Sequence, residues 1–165
     1  MIAWHYTTHL HYDSIKAHGY IFGATALIEV NERPVVWFSM HPWFEPTAAK
    51  GIMGPDGRQR TATIDEMIDI GGGLVRLGVS RRGLLAGEEL RKRARIRRET
   101  WASLCRSAKS AGGDPAQWVG SLQPVLLTDC IVERMDAGHH WRRVKNRLSD
   151  HATKSASVQM PIGTH

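Results

Sequence analysis

Cysteine is nearly absent from this chain of 165 residues: Cys105 and Cys130 are the only two. They lie far apart and outside any metal-ligand spacing, which excludes a disulfide framework and a structural zinc site as organising principles. Long apolar runs are missing as well, and none approaches the roughly 18–20 residues that a membrane-crossing helix needs. The opening Met1-Ile2-Ala3-Trp4-His5-Tyr6 lacks the basic start and apolar middle of a signal peptide, so the cytoplasm is the expected location. A phosphate-gripping loop is lacking too. Gly71-Gly72-Gly73 has neither the lysine nor the strand–loop–helix setting such a loop requires. There is no internal repeat.

Acidic residues are in short supply: 16 Asp and Glu face 22 Lys and Arg, for a net charge of +6. An anionic partner is implied, without separating nucleic acid from a phosphate-rich small molecule or an acidic protein. The imbalance is local. Between residues 76 and 98, Arg76, Arg81, Arg82, Arg91, Lys92, Arg93, Arg95, Arg97 and Arg98 stand against Glu88 and Glu89. Residues 81–98 are therefore the expected contact for nucleic acid or an acidic protein, unless they form only a solvated helix. On one helix, Arg91, Lys92, Arg95 and Arg98 would share a side.

Hydrophobic content is 42% and charged content 23%, the proportions of a globular domain. The expectation is one domain over 1–144 and a polar C-terminal tail over 145–165. Ala3 to Thr7 reads as a strand. A three-turn helix follows, with Thr8 as N-cap and Gly19 as its stop. Tyr20 to Val30 reads as extended, Val35 to Ser39 as a buried strand, and Gly51 to Thr61 as a surface loop. Leu74 to Val79 alternates like a strand. Gly87 to Ala111 is the longest helical stretch, and Trp118–Leu122, Val125–Leu127 and Cys130–Met135 read as further strands. With so few helices between strands, the order predicts a mixed α+β fold with a largely antiparallel core.

Four segments carry residues suited to chemistry. In Trp4-His5-Tyr6-Thr7-Thr8, strand alternation puts His5 and Thr7 on the face opposite Trp4 and Tyr6. A neutral imidazole and hydroxyls there suit a ribose or an amide, although a core histidine bonded to a backbone carbonyl fits equally. Trp37-Phe38-Ser39 offers ring faces for stacking and a hydroxyl, or simply a core strand. Glu45, between Trp43-Phe44 and Pro46, is either a partly desolvated carboxylate or a helix cap. The segment Trp118 to Val125 delivers polar side chains beside Pro124, as an ordinary edge strand also would.

Taken in order, His5-Tyr6-Thr7-Thr8, the short helix ending at Gly19, Val35-Val36-Trp37-Phe38-Ser39 and Glu45-Pro46-Thr47-Ala48 resemble the N-terminal half of an ADP-ribosyltransferase-like domain. Trp118 to Val125 is similar to the C-terminal strand of that superfamily, whose small bacterial members include toxin-like proteins. The resemblance implies a mostly antiparallel split sheet of the ADP-ribosyltransferase type, with NAD as substrate. It implies that His5, Tyr6 and Thr7 on the first strand bind NAD, His5 holding the adenosine ribose or the nicotinamide amide with help from Thr7, and that Trp37, Phe38 and Ser39 on the second lie against the nicotinamide. The superfamily's catalytic glutamate holds the ribose while positive charge develops on it. Gln123 occupies the most similar position and is neutral, so either Glu45 or Glu133 supplies the charge, or the domain binds a nucleotide without efficient transfer. The activity implied is cleavage of nicotinamide from NAD with transfer of ADP-ribose to an acceptor. The alternatives are RNA 2′-phosphotransfer on the same scaffold and a non-enzymatic basic module that binds nucleic acid.

Overall fold

The computed structural model describes residues 1–26 and 28–144; the expected tail over 145–165 lies outside the described residues. Strand β1 (Ile2–Thr8) leads directly into helix α1 (His9–His18). Thr8 caps that helix by accepting from the His11 backbone N–H, and Gly19, at φ 76°, ends it with a bond to the Ile15 carbonyl. Next come β2 (Tyr20–Ile21) and β3 (Val36–Ser39). The extended stretch expected from Tyr20 to Val30 is confined to β2 and one bridge between Ala24 and Val35.

The Gly-punctuated segment expected as a loop pairs instead into a hairpin of β4 (Gly51–Met53) and β5 (Gln59–Thr61). Helix α2 (Ile64–Gly71) opens with a reciprocal capping box between Thr63 and Glu66. After β6 (Leu74–Ser80) and β7 (Leu85–Ala86), the expected single long helix divides into α3 (Gly87–Arg93) and α4 (Arg98–Ser110). No Gly or Pro marks the division. Burial of Ala94 and Ile96 on either side of Arg95 turns the chain, and Arg95 takes φ 61° to allow it. The chain closes with β8 (Trp118–Ser121), β9 (Val125–Leu126), β10 (Ile131–Met135) and β11 (Trp141–Arg143).

Seven strands form one antiparallel sheet in the order β11-β10-β6-β1-β3-β8-β7, so the fold is mixed α+β with a mostly antiparallel sheet. β1 pairs with β6 along its whole length, whereas its pairing with β3 is confined to Trp4 opposite Ser39. On one face Ala3, Val36, Phe38, Val75, Leu77, Val119 and Val132 form the main core with Tyr12 of α1. On the other, Tyr6 and Leu74 pack with Phe44, Ala62 and Met67 of α2. Val35, Leu90, Ala94 and Ile96 make a third cluster that seats α3. No helix among the described residues is long and apolar enough to cross a membrane.

Candidate functional site

The parting of β1 from β3 creates the site. Because Trp4 stands opposite Ser39, these two and the alternate residues Tyr6 and Trp37 share one face of the sheet. Ser39 is the last residue of β3, and the chain then folds tightly back. His41 Nδ1 accepts from the backbone N–H groups of Trp43 (3.2 Å) and Phe44 (3.1 Å), and the Tyr6 hydroxyl donates to the His41 carbonyl at 2.5 Å. This turn brings Glu45 back beneath Ser39. The Ser39 hydroxyl donates to Glu45 Oε2 at 2.6 Å, while Oε1 accepts from the Thr47 hydroxyl at 2.8 Å and from the Thr47 backbone N–H at 3.3 Å.

Glu45 is 5% exposed and Ser39 2%. The hydrogen bonds to the Glu45 carboxylate come from the neutral donors Ser39 and Thr47, and among the described residues it has no ion-pair partner. Glu45 also serves as N-cap of the short 3₁₀ turn Pro46–Ala48, so capping and a site role coexist in one side chain. The loop after α4 closes over it. A Cβ at Gly113 would stand 2.9 Å from Glu45 Oε1, closer than such atoms pack, so that close approach requires glycine.

Above Glu45 lies a cavity of about 470 Å³, walled by Trp4, Tyr6, Trp37 and Trp118 and floored by Ser39, Glu45 and Thr47. Trp37 and Trp118 meet edge-to-face with centroids 6.0 Å apart, and Trp101 stacks behind Trp37 at 6.3 Å. Phe38 borders the cavity, but it belongs to the main core and packs against the His5 ring at 5.9 Å. At the rim, Glu32 Oε1 is buried without a hydrogen-bond partner among the described residues. Burial pushes the Tyr6 phenol up to about 12, so it remains a donor at neutral pH.

A second cavity, of about 440 Å³, adjoins the first across Tyr6, Ala24 and Ala48, which line both. His5 and Thr7 line this one, together with His11, His18 and Lys50. The His5 Nδ1–H donates to the Trp37 carbonyl at 2.9 Å, filling the gap where β1 and β3 cease to pair. Burial lowers the pKa of His5, against the opposing pull of that bond. Lys50 Nζ donates to His11 Nδ1 at 3.3 Å.

Of the residues singled out in the sequence, Tyr6, Trp37, Phe38, Ser39 and Glu45 border one cavity, and His5 and Thr7 open into its neighbour. Gln123 is exposed in the turn after β8, where its backbone N–H bonds Ser121 Oγ at 3.1 Å, and it lines neither cavity. Glu133 accepts from Arg76 Nε at 2.7 Å. The Arg76 guanidinium lies between the rings of Trp4 and Trp141, 3.9 and 4.6 Å from their centroids. Glu133 is thereby paired with a cation and lines neither cavity, whereas Glu45 lines the first. Sequence reasoning passed over Thr47, His41 and Glu32. The hydroxyl two residues after Glu45 was a legible signal for the first of these, and nothing short of tertiary placement reveals the other two.

The basic segment is divided by the turn at Arg95. Arg91 is 8% exposed and faces inward, its Nε bonding Glu88 Oε1 at 2.9 Å and its Nη1 the Ile96 carbonyl at 2.9 Å. It therefore leaves the expected cationic side, while Lys92, Arg93, Arg95, Arg97 and Arg98 are exposed. Comparison of the chain with protein-family models, with curated proteins and with solved structures gives no significant match.

Proposed function

We propose that the protein binds NAD across the two adjoining cavities, breaks its nicotinamide–ribose bond and transfers ADP-ribose to an acceptor, on an ADP-ribosyltransferase-like scaffold. The observation that carries this reading is Glu45: a buried carboxylate, held by Ser39 and Thr47, on the floor of an aromatic-walled cavity. As the C1′–N bond lengthens, nicotinamide leaves with the bonding pair and positive charge develops on the ribose. A fixed anion beneath that carbon stabilises the charge without reorganising, an effect worth about 10²–10³ in rate for a single well-placed group. The acceptor then supplies the electron pair for the new bond to C1′.

The surroundings support the same ligand. Trp37 and Trp118 line the cavity with aromatic rings, and contact of such rings with a cationic pyridinium contributes about 0.5–2 kcal/mol. Lys50 and the imidazoles of the second cavity suit the diphosphate and ribose hydroxyls. Both volumes fall in the range of small-molecule sites, roughly 300–1,000 Å³. The confined pairing of β1 with β3 agrees with a split sheet, and the His5-Tyr6-Thr7 and Trp37-Phe38-Ser39 strands with the motifs of that superfamily.

The test is release of nicotinamide from NAD, followed by liquid chromatography. Release is expected from the native protein and should fall by about 10²–10³ in Glu45→Gln, whose amide oxygen can still accept from Thr47 while its NH2 donates to the Ser39 hydroxyl oxygen. Absence of both release and any NAD-induced rise in Tm would overturn the proposal.

A further inference from the structure

The elbow between α3 and α4 presents an unusual density of positive charge on a braced backbone. Between residues 91 and 98 the inward positions are Arg91, Ala94 and Ile96, all buried, and the outward ones are Lys92, Arg93, Arg95, Arg97 and Arg98. Arg93 approaches Glu89 at 3.5 Å and Arg97 approaches Glu29 at 3.4 Å. Lys92, Arg95 and Arg98 have no ion-pair partner among the described residues. Nothing in the fold calls for these cations. Arg97 and Arg98 stand at the N-terminal end of α4, where the helix dipole disfavours positive charge, and Arg97 provides no side-chain cap. Arg95 holds a left-handed φ of 61°, which costs a non-glycine residue about 1 kcal/mol.

The elbow also adjoins the aromatic cavity. Ile96 and Thr100 line that cavity, and so does Arg33, whose backbone N–H donates to the Ala94 carbonyl at 2.8 Å. Lys92, Arg95 and Arg98 do not themselves line the cavity, but Ile96 next to Arg95 and Thr100 two residues after Arg98 do, so the cationic elbow and the cavity share one stretch of chain. The repeating single charges of a phosphodiester backbone match such a row of exposed cations.

We propose that the elbow binds the sugar–phosphate backbone of a single-stranded nucleic acid and that this strand is the acceptor of ADP-ribose, an inference that rests on the reading of the cavity given above. In the transfer, the C1′–N bond of NAD breaks and its electron pair leaves on nicotinamide. An oxygen or nitrogen of the strand forms the new bond to C1′, and its proton passes to solvent.

The test uses the full chain and fluorescent 20-nucleotide single strands of DNA and of RNA, with poly-glutamate as the acidic-protein control. The triple variant Lys92→Gln, Arg95→Gly, Arg98→Gln removes three charges at exposed positions, and glycine relieves the left-handed turn, so its Tm should match or exceed the native value. At 50 mM KCl it should bind a strand at least tenfold more weakly. The slope of log Kd against log salt should fall by about 2, since each phosphate contact on a single strand contributes about 0.7. With radiolabelled NAD, label should enter the strand with the native protein and at least tenfold less with the variant. Equal binding by variant and native protein, or binding of poly-glutamate in preference to both strands, would overturn the inference. Nicotinamide release with no label in either strand would overturn it while leaving the NAD reading intact. Salt-dependent strand binding without nicotinamide release would instead remove the NAD reading, and the acceptor role with it.

Discussion

Ser39 and Glu45, six residues apart, meet at 2.6 Å because the turn around His41 folds the chain back under the end of β3. A hydrogen bond to a buried charged group contributes about 1.5–3 kcal/mol, and deleting the donor leaves the carboxylate short of a partner. Ser39→Ala is therefore expected to lower stability by about 2 kcal/mol in urea denaturation. It should also slow nicotinamide release, since Glu45 loses the contact that fixes its Oε2. Full activity in Ser39→Ala would mean that Glu45 is positioned by Thr47 alone.

Gly113 limits the same carboxylate from the other side. A methyl group there would stand 2.9 Å from Glu45 Oε1 and 3.4 Å from the Thr47 methyl carbon, so the carboxylate must shift. Gly113→Ala is expected to cost about 1–3 kcal/mol by overpacking and to reduce nicotinamide release more than NAD affinity. A variant with native turnover would show that the position of Glu45 does not matter to the reaction.

Burial of the His5 ring gives stability a pH dependence, which its bond to the Trp37 carbonyl partly opposes. Burial lowers the His5 pKa in the folded protein, with nearby His11 acting in the same direction, so between that value and about 6.5 the unfolded chain binds a proton the native state does not. The stability contribution is complete above about pH 6.5 and declines as pH falls below it, by at most about 1.4 kcal/mol per unit for one group. Denaturation midpoints from pH 8 to 5 should fall for the native protein and flatten in His5→Gln. Parallel profiles for the two would assign the slope to other groups.

Arg91 and Arg95, four residues apart, should respond in opposite ways. Arg91→Ala removes a buried side chain and leaves the Ile96 carbonyl without its donor, which should cost about 1–3 kcal/mol, while Glu88 is exposed to water. Arg95→Gly should leave the fold intact or stabilise it by up to about 1 kcal/mol, because glycine adopts φ 61° without penalty. Thermal melts of both variants decide this. If both destabilise alike, the elbow is an ordinary helix interior.

Much of the fold was legible because it rests on local signals. The Thr8 cap, the Gly19 stop and the strands from Trp118 to Met135 all occur where their residues place them. The capping box Thr63-x-x-Glu66 was equally readable, although the sequence alone left Thr63 to Ile70 without an assignment. The division at Arg95 was not legible, since every residue there favours a helix and only the burial of Ala94 and Ile96 breaks it. Strand β11 carries no strand signal of its own: Trp141-Arg142-Arg143 is short and basic, and its pairing with β10 depends on the turn between them. For the site, the sequence singled out Ser39 and Glu45 separately, and their meeting depends on the turn between them. Register decides the rest. With Trp4 opposite Ser39, His5 must face the other way, so it opens into the neighbouring cavity.

The most direct test is a crystal structure of Glu45→Gln with NAD bound, the substitution serving to keep the dinucleotide whole. The account predicts the nicotinamide ring against Trp37 and Trp118, the attached ribose facing residue 45, and the diphosphate running toward Lys50. A dinucleotide lying outside both cavities, or with its nicotinamide end among His11, His18 and Lys50, would contradict it.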